Sequence, residues 1–246
     1  MNILSYSYDI GGLGCWLSVD PLASKYPHSS PYVYCNNNPI MLVDPNGMEW
    51  YVVDDMGNVT QVERDASKDT EDVLIFAHGG ENAAKQIGEK GNYDDYSTTK
   101  TFGKGDLNFT KTTDDGGGTY TAMVGKDQAA EDLFNFLADN TLVEWSAFAI
   151  PGVGDGPSLN VIATSHKNDQ ESVGASWALR AATHSPTGIS FFKHSHPRCN
   201  PFDLFNPLSQ PTSQASGKDN KHKNDILKVC PGIDFTIRFK RENHPY

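Results

Sequence analysis

The sequence predicts an α/β (α+β) protein: a mixed sheet flanked by helices over its second half, with a β-rich region ahead of it. Three observations carry that prediction. Apolar residues recur at helical spacing through 126–140, at Ala130, Leu133, Phe134 and Leu137. Short aromatic and β-branched runs then follow at 142–150, 159–164, 188–193 and 234–239, most of them bounded by Gly and Pro turns. By contrast, residues 91–118 are rich in Thr, Gly and Asp with isolated aromatics, Phe102 and Phe109, which suits loose β-structure.

In chain order, residues 1–48 are rich in Tyr, Pro, Asn and Gly and show no helical period. They read as short strands broken by turn dipeptides. Trp50–Val53 and Val59–Val62 flank Asp54-Asp55-Met56-Gly57-Asn58, a hairpin with Gly and Asn where positive φ is needed. Residues 63–72 are charged and polar, a loop or exposed edge, and Val73–Ala77 is a short buried strand. His78-Gly79-Gly80 follows. Such a triplet can build an oxyanion hole in serine hydrolases, but the chain has no Gly-x-Ser-x-Gly, so that role is not expected. Residues 91–118 are expected to form a loose meander. Asp114–Gly118 lacks the spaced ligands of an EF-hand loop and reads as a turn.

The helix over 126–140 leads into the apolar strand Leu142–Ile150, which Pro151–Pro157 ends. Leu159–Thr164 is a further strand, and residues 170–183 are expected to hold a short helix around Trp177, Ala178 and Leu179. The run Gly188–Lys193 enters His194-Ser195-His196-Pro197. Pro201–Leu208 is apolar for a loop and stiffened by proline; it either packs on the domain or flanks a cleft. A helix is expected from Ser216 to Val229, ended by Pro231-Gly232. A last strand, Asp234–Phe239, precedes a polar tail, 240–246.

The 246 residues suffice for one large domain or two small ones. Acidic residues outnumber basic ones by 31 to 20, a net charge of −11, which opposes a nucleic-acid surface. No run approaches the ~18 apolar residues of a membrane span. The start of the chain lacks the basic and apolar regions of a signal peptide. Cys15, Cys35, Cys199 and Cys230 show no C-x-x-C and no dense spacing, so no disulfide framework is expected; Cys199, close in sequence to the histidines, could be a stray soft ligand but reads better as a free thiol.

Chemistry gathers in the second half. Side chains two apart on a strand share a face, so His194 and His196 can aim two imidazoles at one point. Two imidazoles are half a zinc site, and catalytic zinc commonly takes three protein ligands. Asp219 is the candidate third, with Asp203 as the alternative. Ser216 and Asp219 also make a capping box, a role compatible with the first. Glu144 is a carboxylate in an apolar strand. That is costly unless it is paired or near a metal, and the alternative is an edge position facing water.

Glu144, then His194-x-His196-Pro197, then Ser216-x-x-Asp219 resembles in order the signature of the JAMM (JAB/MPN) metallopeptidases. The resemblance implies zinc on His194, His196 and Asp219, with Glu144 as acid/base and Ser216 at the oxyanion. Residues 198–215 form a longer gap than is usual there, and Ala215 stands where the family often has Pro. Residues 1–48, with Tyr6-x-Tyr8-Asp9, Trp16–Leu22 and Pro31–Ile40, resemble the end of the Rhs repeat-associated (YD-repeat) core. They close on Asp44-Pro45-Asn46-Gly47, after which that family carries a variable toxin domain.

The combined resemblance implies three parts. Residues 1–48 would be a core remnant, 49–119 a β-rich connecting region, and 120–246 a JAB/JAMM-like toxin domain. It further implies a zinc-dependent peptidase or isopeptidase delivered as an effector between bacteria. A protein or peptide substrate, a cognate immunity protein and the Rhs shell would be its partners. Two other readings stay open: an inactive JAMM-like binding domain, and a metal-dependent nuclease.

Overall fold

The computed structural model describes residues 49–63, 71–113, 116–167, 173–197 and 214–246. The readings on residues 1–48, Asp114-Asp115, Cys199, Asp203 and the 201–208 insert lie outside them. The described residues belong to one unit, Met48–Tyr246.

β1 (Trp50–Val53) and β2 (Val59–Gln61) form the expected hairpin, with Val52 opposite Thr60. Asp54 Oδ1 closes its turn by accepting from the Met56 and Asn58 backbone N–H groups at 2.9 Å each. Gly57 sits there at φ +72°, and a Cβ on it would lie 2.7 Å from Val143 Cγ2 and 3.2 Å from the Trp145 ring. Only glycine lets this turn press against the segment that carries Glu144.

β3 (Glu71–Phe76) runs parallel to β1, and β4 (Thr99–Gly103) pairs antiparallel with β3, giving the order β2-β1-β3-β4. α1 (Gly80–Lys90) covers one face, burying Ala83, Ala84 and Ile87 with Val52, Val73 and Ile75. The chain turns at His78-Gly79 and enters this helix at Gly80, and the sequence reading named no helix here. Its apolar stripe is narrow and mostly alanine, so periodicity barely marks it.

The loose meander over 91–118 is also corrected, because β4 and the next strand, β5 (Thr110–Thr112), belong to different sheets. Between them the chain is held by Asp72. Its fully buried carboxylate accepts from the Glu49 N–H at 3.0 Å and the Leu107 N–H at 2.8 Å.

The larger sheet comprises β5, β6 (Gly118–Val124), β7 (Ser146–Ile150), β8 (Leu159–Thr164), β9 (Phe191–Ser195), β10 (Asp234–Phe239) and β11 (Glu242–Pro245). Their order is β11-β10-β9-β7-β8-β6-β5. β9 and β10 are parallel; the other pairs are antiparallel. α2 (Asp127–Asn140) shares a core with one face of this sheet and with Tyr51, Val53 and Leu74 of the smaller one. α3 (Val173–His184) and α4 (Gly217–Val229) cover the opposite face, packing Ala178, Ala182 and Ile226 on Phe148, Phe192 and Phe235. Each fully buried Leu, Ile or Phe contributes about 1.5–3 kcal/mol. Mixed sheets flanked by helices are thus the observed architecture, as the sequence predicts.

β6 and β11 are additions to the sequence reading. The inward positions of β6 include Thr119 and Thr121, so it shows no apolar alternation. β11 replaces the polar tail with an edge strand on β10. Among the described residues, no helix is long and apolar enough to cross a membrane.

Candidate metal centre

Alternation along β9 sorts its side chains between the two faces. Phe191 and Lys193 point to the α2 side, where Lys193 Nζ pairs with Glu131. Phe192 points to the α4 side, and His194, two residues on, follows it. His196 lies just past the strand, its backbone N–H donating to the Arg238 carbonyl at 3.0 Å. That bond keeps the chain extended, so both rings emerge on one side. His194 Nε2 and His196 Nε2 stand 3.1 Å apart.

Asp219 reaches the same point from the first turn of α4. Ser216 caps this helix: its Oγ accepts from the Asp219 N–H at 3.2 Å, and its own N–H donates to Asp219 Oδ2 at 2.6 Å. The capping box therefore fixes the carboxylate. Oδ1 lies 3.4 Å from His194 Nε2, and Oδ2 lies 3.6 Å from His196 Nε2. Both roles foreseen for Ser216-x-x-Asp219, cap and carboxylate at the histidines, coexist in the geometry.

Glu144 precedes β7 rather than lying within it. The β7–β9 ladder sets Ser146 opposite His194, and it continues beyond the strand ends. Ser195 N–H donates to the Trp145 carbonyl at 2.8 Å, and Trp145 N–H donates to Ser195 Oγ at 2.9 Å. Two residues further, the same register puts Glu144 opposite His196, on the face that carries His194. Its backbone is held at both ends: its N–H donates to the Lys167 carbonyl, and its carbonyl accepts from Thr164 Oγ1, each at 2.7 Å. The residue is only 7% exposed, so the solvent-facing alternative is excluded.

Burial pushes the His194 imidazole below its ordinary range, against the pull of Asp219, so it is neutral at neutral pH. Burial alone would raise the Asp219 carboxyl. Hydrogen bonds to His194 and His196 and the Ser216 N–H outweigh it and hold the group well below the usual carboxylate range. A neutral imidazole, as at His194, and an ionised carboxylate, as at Asp219, are the forms that bind a metal. The ligating atoms of His194, His196 and Asp219 all lie within 4.8 Å of one another. Two nitrogens and one oxygen, half-buried to buried, match the donor set of catalytic zinc sites that keep a position open. These three residues therefore fit a divalent metal.

Two residues at the centre were not singled out from the sequence. Tyr246 Oη lies 3.4 Å from His194 Nδ1, with the rings perpendicular and their centroids 5.4 Å apart. Burial, aided by the Asp219 and Glu144 carboxylates, raises its phenol above the ordinary range. His222, one turn after Asp219, packs edge-on against Phe192 and has a buried Nε2 with no hydrogen-bond partner. Burial lowers it to about 4. Its helical spacing from Asp219 was the available signal; Tyr246 left none.

Residues 122–229 match the family model described as JAB-like toxin 1, which supports a JAB-like toxin domain and, with it, a hydrolase. The match spans fewer than half of the 246 residues and includes Glu144, His194, His196, Ser216 and Asp219. No curated protein and no solved structure matches the chain.

Proposed function

We propose that this protein is a zinc-dependent peptidase or isopeptidase toxin, with 120–246 as the JAB/JAMM-like domain that acts. The reading rests above all on one observation: His194, His196 and Asp219 converge beside the register position of Glu144. Residues 49–119 are its connecting region, and residues 1–48 the end of an Rhs-type core. On this reading the chain is the business end of a delivered effector used between bacteria. Its partners are a protein or peptide substrate, a cognate immunity protein and the Rhs shell.

His194, His196 and Asp219 would hold the zinc, which when bound supplies Lewis acidity and makes a water acidic near neutral pH. Glu144 takes the proton of the attacking water as the new C–O bond forms. It returns that proton to the nitrogen as the C–N bond breaks, so the products are a carboxylic acid and an amine. Its low exposure keeps bulk water from competing for the proton. Ser216 Oγ accepts from the Asp219 N–H, which leaves its own proton free to donate to the developing oxyanion.

The test is cleavage of peptide and isopeptide-linked ubiquitin-like conjugates by zinc-loaded full-length chain. Glu144→Gln should keep zinc and lose about 10²–10⁴-fold in rate. Unchanged cleavage in Glu144→Gln would remove the acid/base role. Partner binding without cleavage would favour an inactive binding domain, and cleavage of plasmid DNA with added divalent metal would favour a nuclease.

A further inference from the structure

We infer that His166 is a positioning residue for Glu144, and that through it the β1–β2 hairpin helps to build the site. The inference rests on the acid/base reading of Glu144 given above. The segment that matches the JAB-like toxin family begins at 122. Met56 and Thr119, the partners of the His166 ring, both precede it, which makes residues 49–119 more than a connection.

Glu144 lies ahead of β7, and its backbone is gripped by the bend at 164–167 that follows β8. Its N–H donates to the Lys167 carbonyl and its carbonyl accepts from Thr164 Oγ1, each at 2.7 Å. Thr164 Oγ1 accepts in turn from the His166 N–H at 3.1 Å. That bond occupies a lone pair and leaves the hydroxyl proton for the Glu144 carbonyl. The bend that sets up both bonds is strained. His166 stands in the left-handed region at φ 57°, which a non-glycine residue keeps only where its surroundings fix it.

The His166 ring does the fixing. Nδ1 lies 2.9 Å from the Met56 carbonyl, which can only accept, so Nδ1 donates. Nε2 meets Thr119 Oγ1 at 3.0 Å. One imidazole thus ties the bend to the hairpin turn at 54–58 and to β6. The hairpin also touches the Glu144 segment directly. Leu142 N–H donates to the Asp55 carbonyl at 2.7 Å. A Cβ on Gly57 would stand 2.7 Å from Val143, 3.2 Å from the Trp145 ring and 3.5 Å from His166 Nδ1. Residues 142–145 are therefore clasped between two turns that His166 joins. A displacement of about 1 Å in a catalytic group can cost about 100-fold in rate, so what holds this segment bears on the chemistry.

The experiment uses the full chain. His166→Gly permits the left-handed backbone and removes both ring contacts; His166→Asn suits the same backbone and returns a donor toward Met56. In amide hydrogen exchange of the metal-free parent, the Glu144 and Leu142 N–H groups should be protected. His166→Gly should exchange both about 10–100-fold faster while β10 amides keep their rates. His166→Asn should restore most of the protection. Thr119→Val removes only the hydroxyl at Nε2; it should act in the same direction more weakly, and it serves if the bend variants do not fold. Zinc affinity, by chelator competition, should be unchanged in all three. On substrate, His166→Gly should lower kcat about 10–100-fold at unchanged KM, with His166→Asn recovering most of it. Parental exchange at Glu144 in both His166→Gly and Thr119→Val would overturn the inference, as would equal acceleration throughout the sheet. Failure of the peptidase reading shows separately, as a parent that cleaves nothing while Glu144 exchange still answers to His166.

Discussion

The four-stranded and seven-stranded sheets both bury carboxylates, and they satisfy them differently. In the smaller sheet, Asp72 is met by two backbone N–H groups, from Glu49 and Leu107. In the larger one, Asp219 takes one backbone N–H and otherwise faces two imidazoles, while Glu144 is buried just ahead of β7, two residues before the Ser146 that pairs with His194. Burial raises the Asp72 carboxyl, whereas its partners force Asp219 down. A carboxylate spent on backbone donors ties the chain together. One whose remaining lone pairs meet other ligand-type side chains is a place for a cation. The partners, more than the burial, separate structure from chemistry.

That contrast can be broken most severely at Asp72. Asp72→Ala leaves two N–H groups without their acceptor and should destabilise the fold by about 3 kcal/mol in urea unfolding. Zinc affinity of the remaining folded protein should not change. A variant that loses zinc in proportion to its stability loss would erase the distinction.

Acidification probes the other side. His222, His194 and Asp219 all have folded values below their ordinary ones. Their contribution is therefore intact above the unfolded values and is lost as pH falls. For His222 the window runs from about 6.5 down to about 4. Metal-free protein should lose about 1–3 kcal/mol across it, and His222→Leu should flatten part of that slope. A slope of opposite sign would mean that these groups are not packed as described.

The mildest change is Ser216→Ala, which removes the cap acceptor for the Asp219 N–H. It should cost about 1 kcal/mol in thermal or urea unfolding. If Ser216 also serves the oxyanion, the rate of cleavage should fall further than the stability does. A stability loss with an unchanged rate would leave it as a cap only.

Much of the centre could be read locally. Two histidines at strand spacing, and Ser216 three residues before Asp219 at a helix start, are patterns that a few residues enforce by themselves. α2 was visible because Ala130, Leu133, Phe134 and Leu137 make a broad stripe. What escaped depends on partners far away in sequence. α1 is held by the smaller sheet through two alanines and Ile87. β6 buries threonines, and β11, with Glu242, Asn243, His244 and Pro245, has no apolar alternation at all. Tyr246 reaches His194 only through the β9–β10–β11 ladder, which no local pattern announces. Glu144 was found by its cost, a carboxylate among apolar neighbours. Its nearness to the histidine strand follows from a β7–β9 register that joins residues far apart in sequence.

The most direct measurement is the zinc content of purified full-length chain, beside His196→Ala and Asp219→Ala, each checked for folding by circular dichroism. A catalytic site of this kind predicts about one zinc per chain, lost in both variants. A folded parent without zinc would contradict the metal centre itself, and zinc retained in Asp219→Ala would contradict its third ligand.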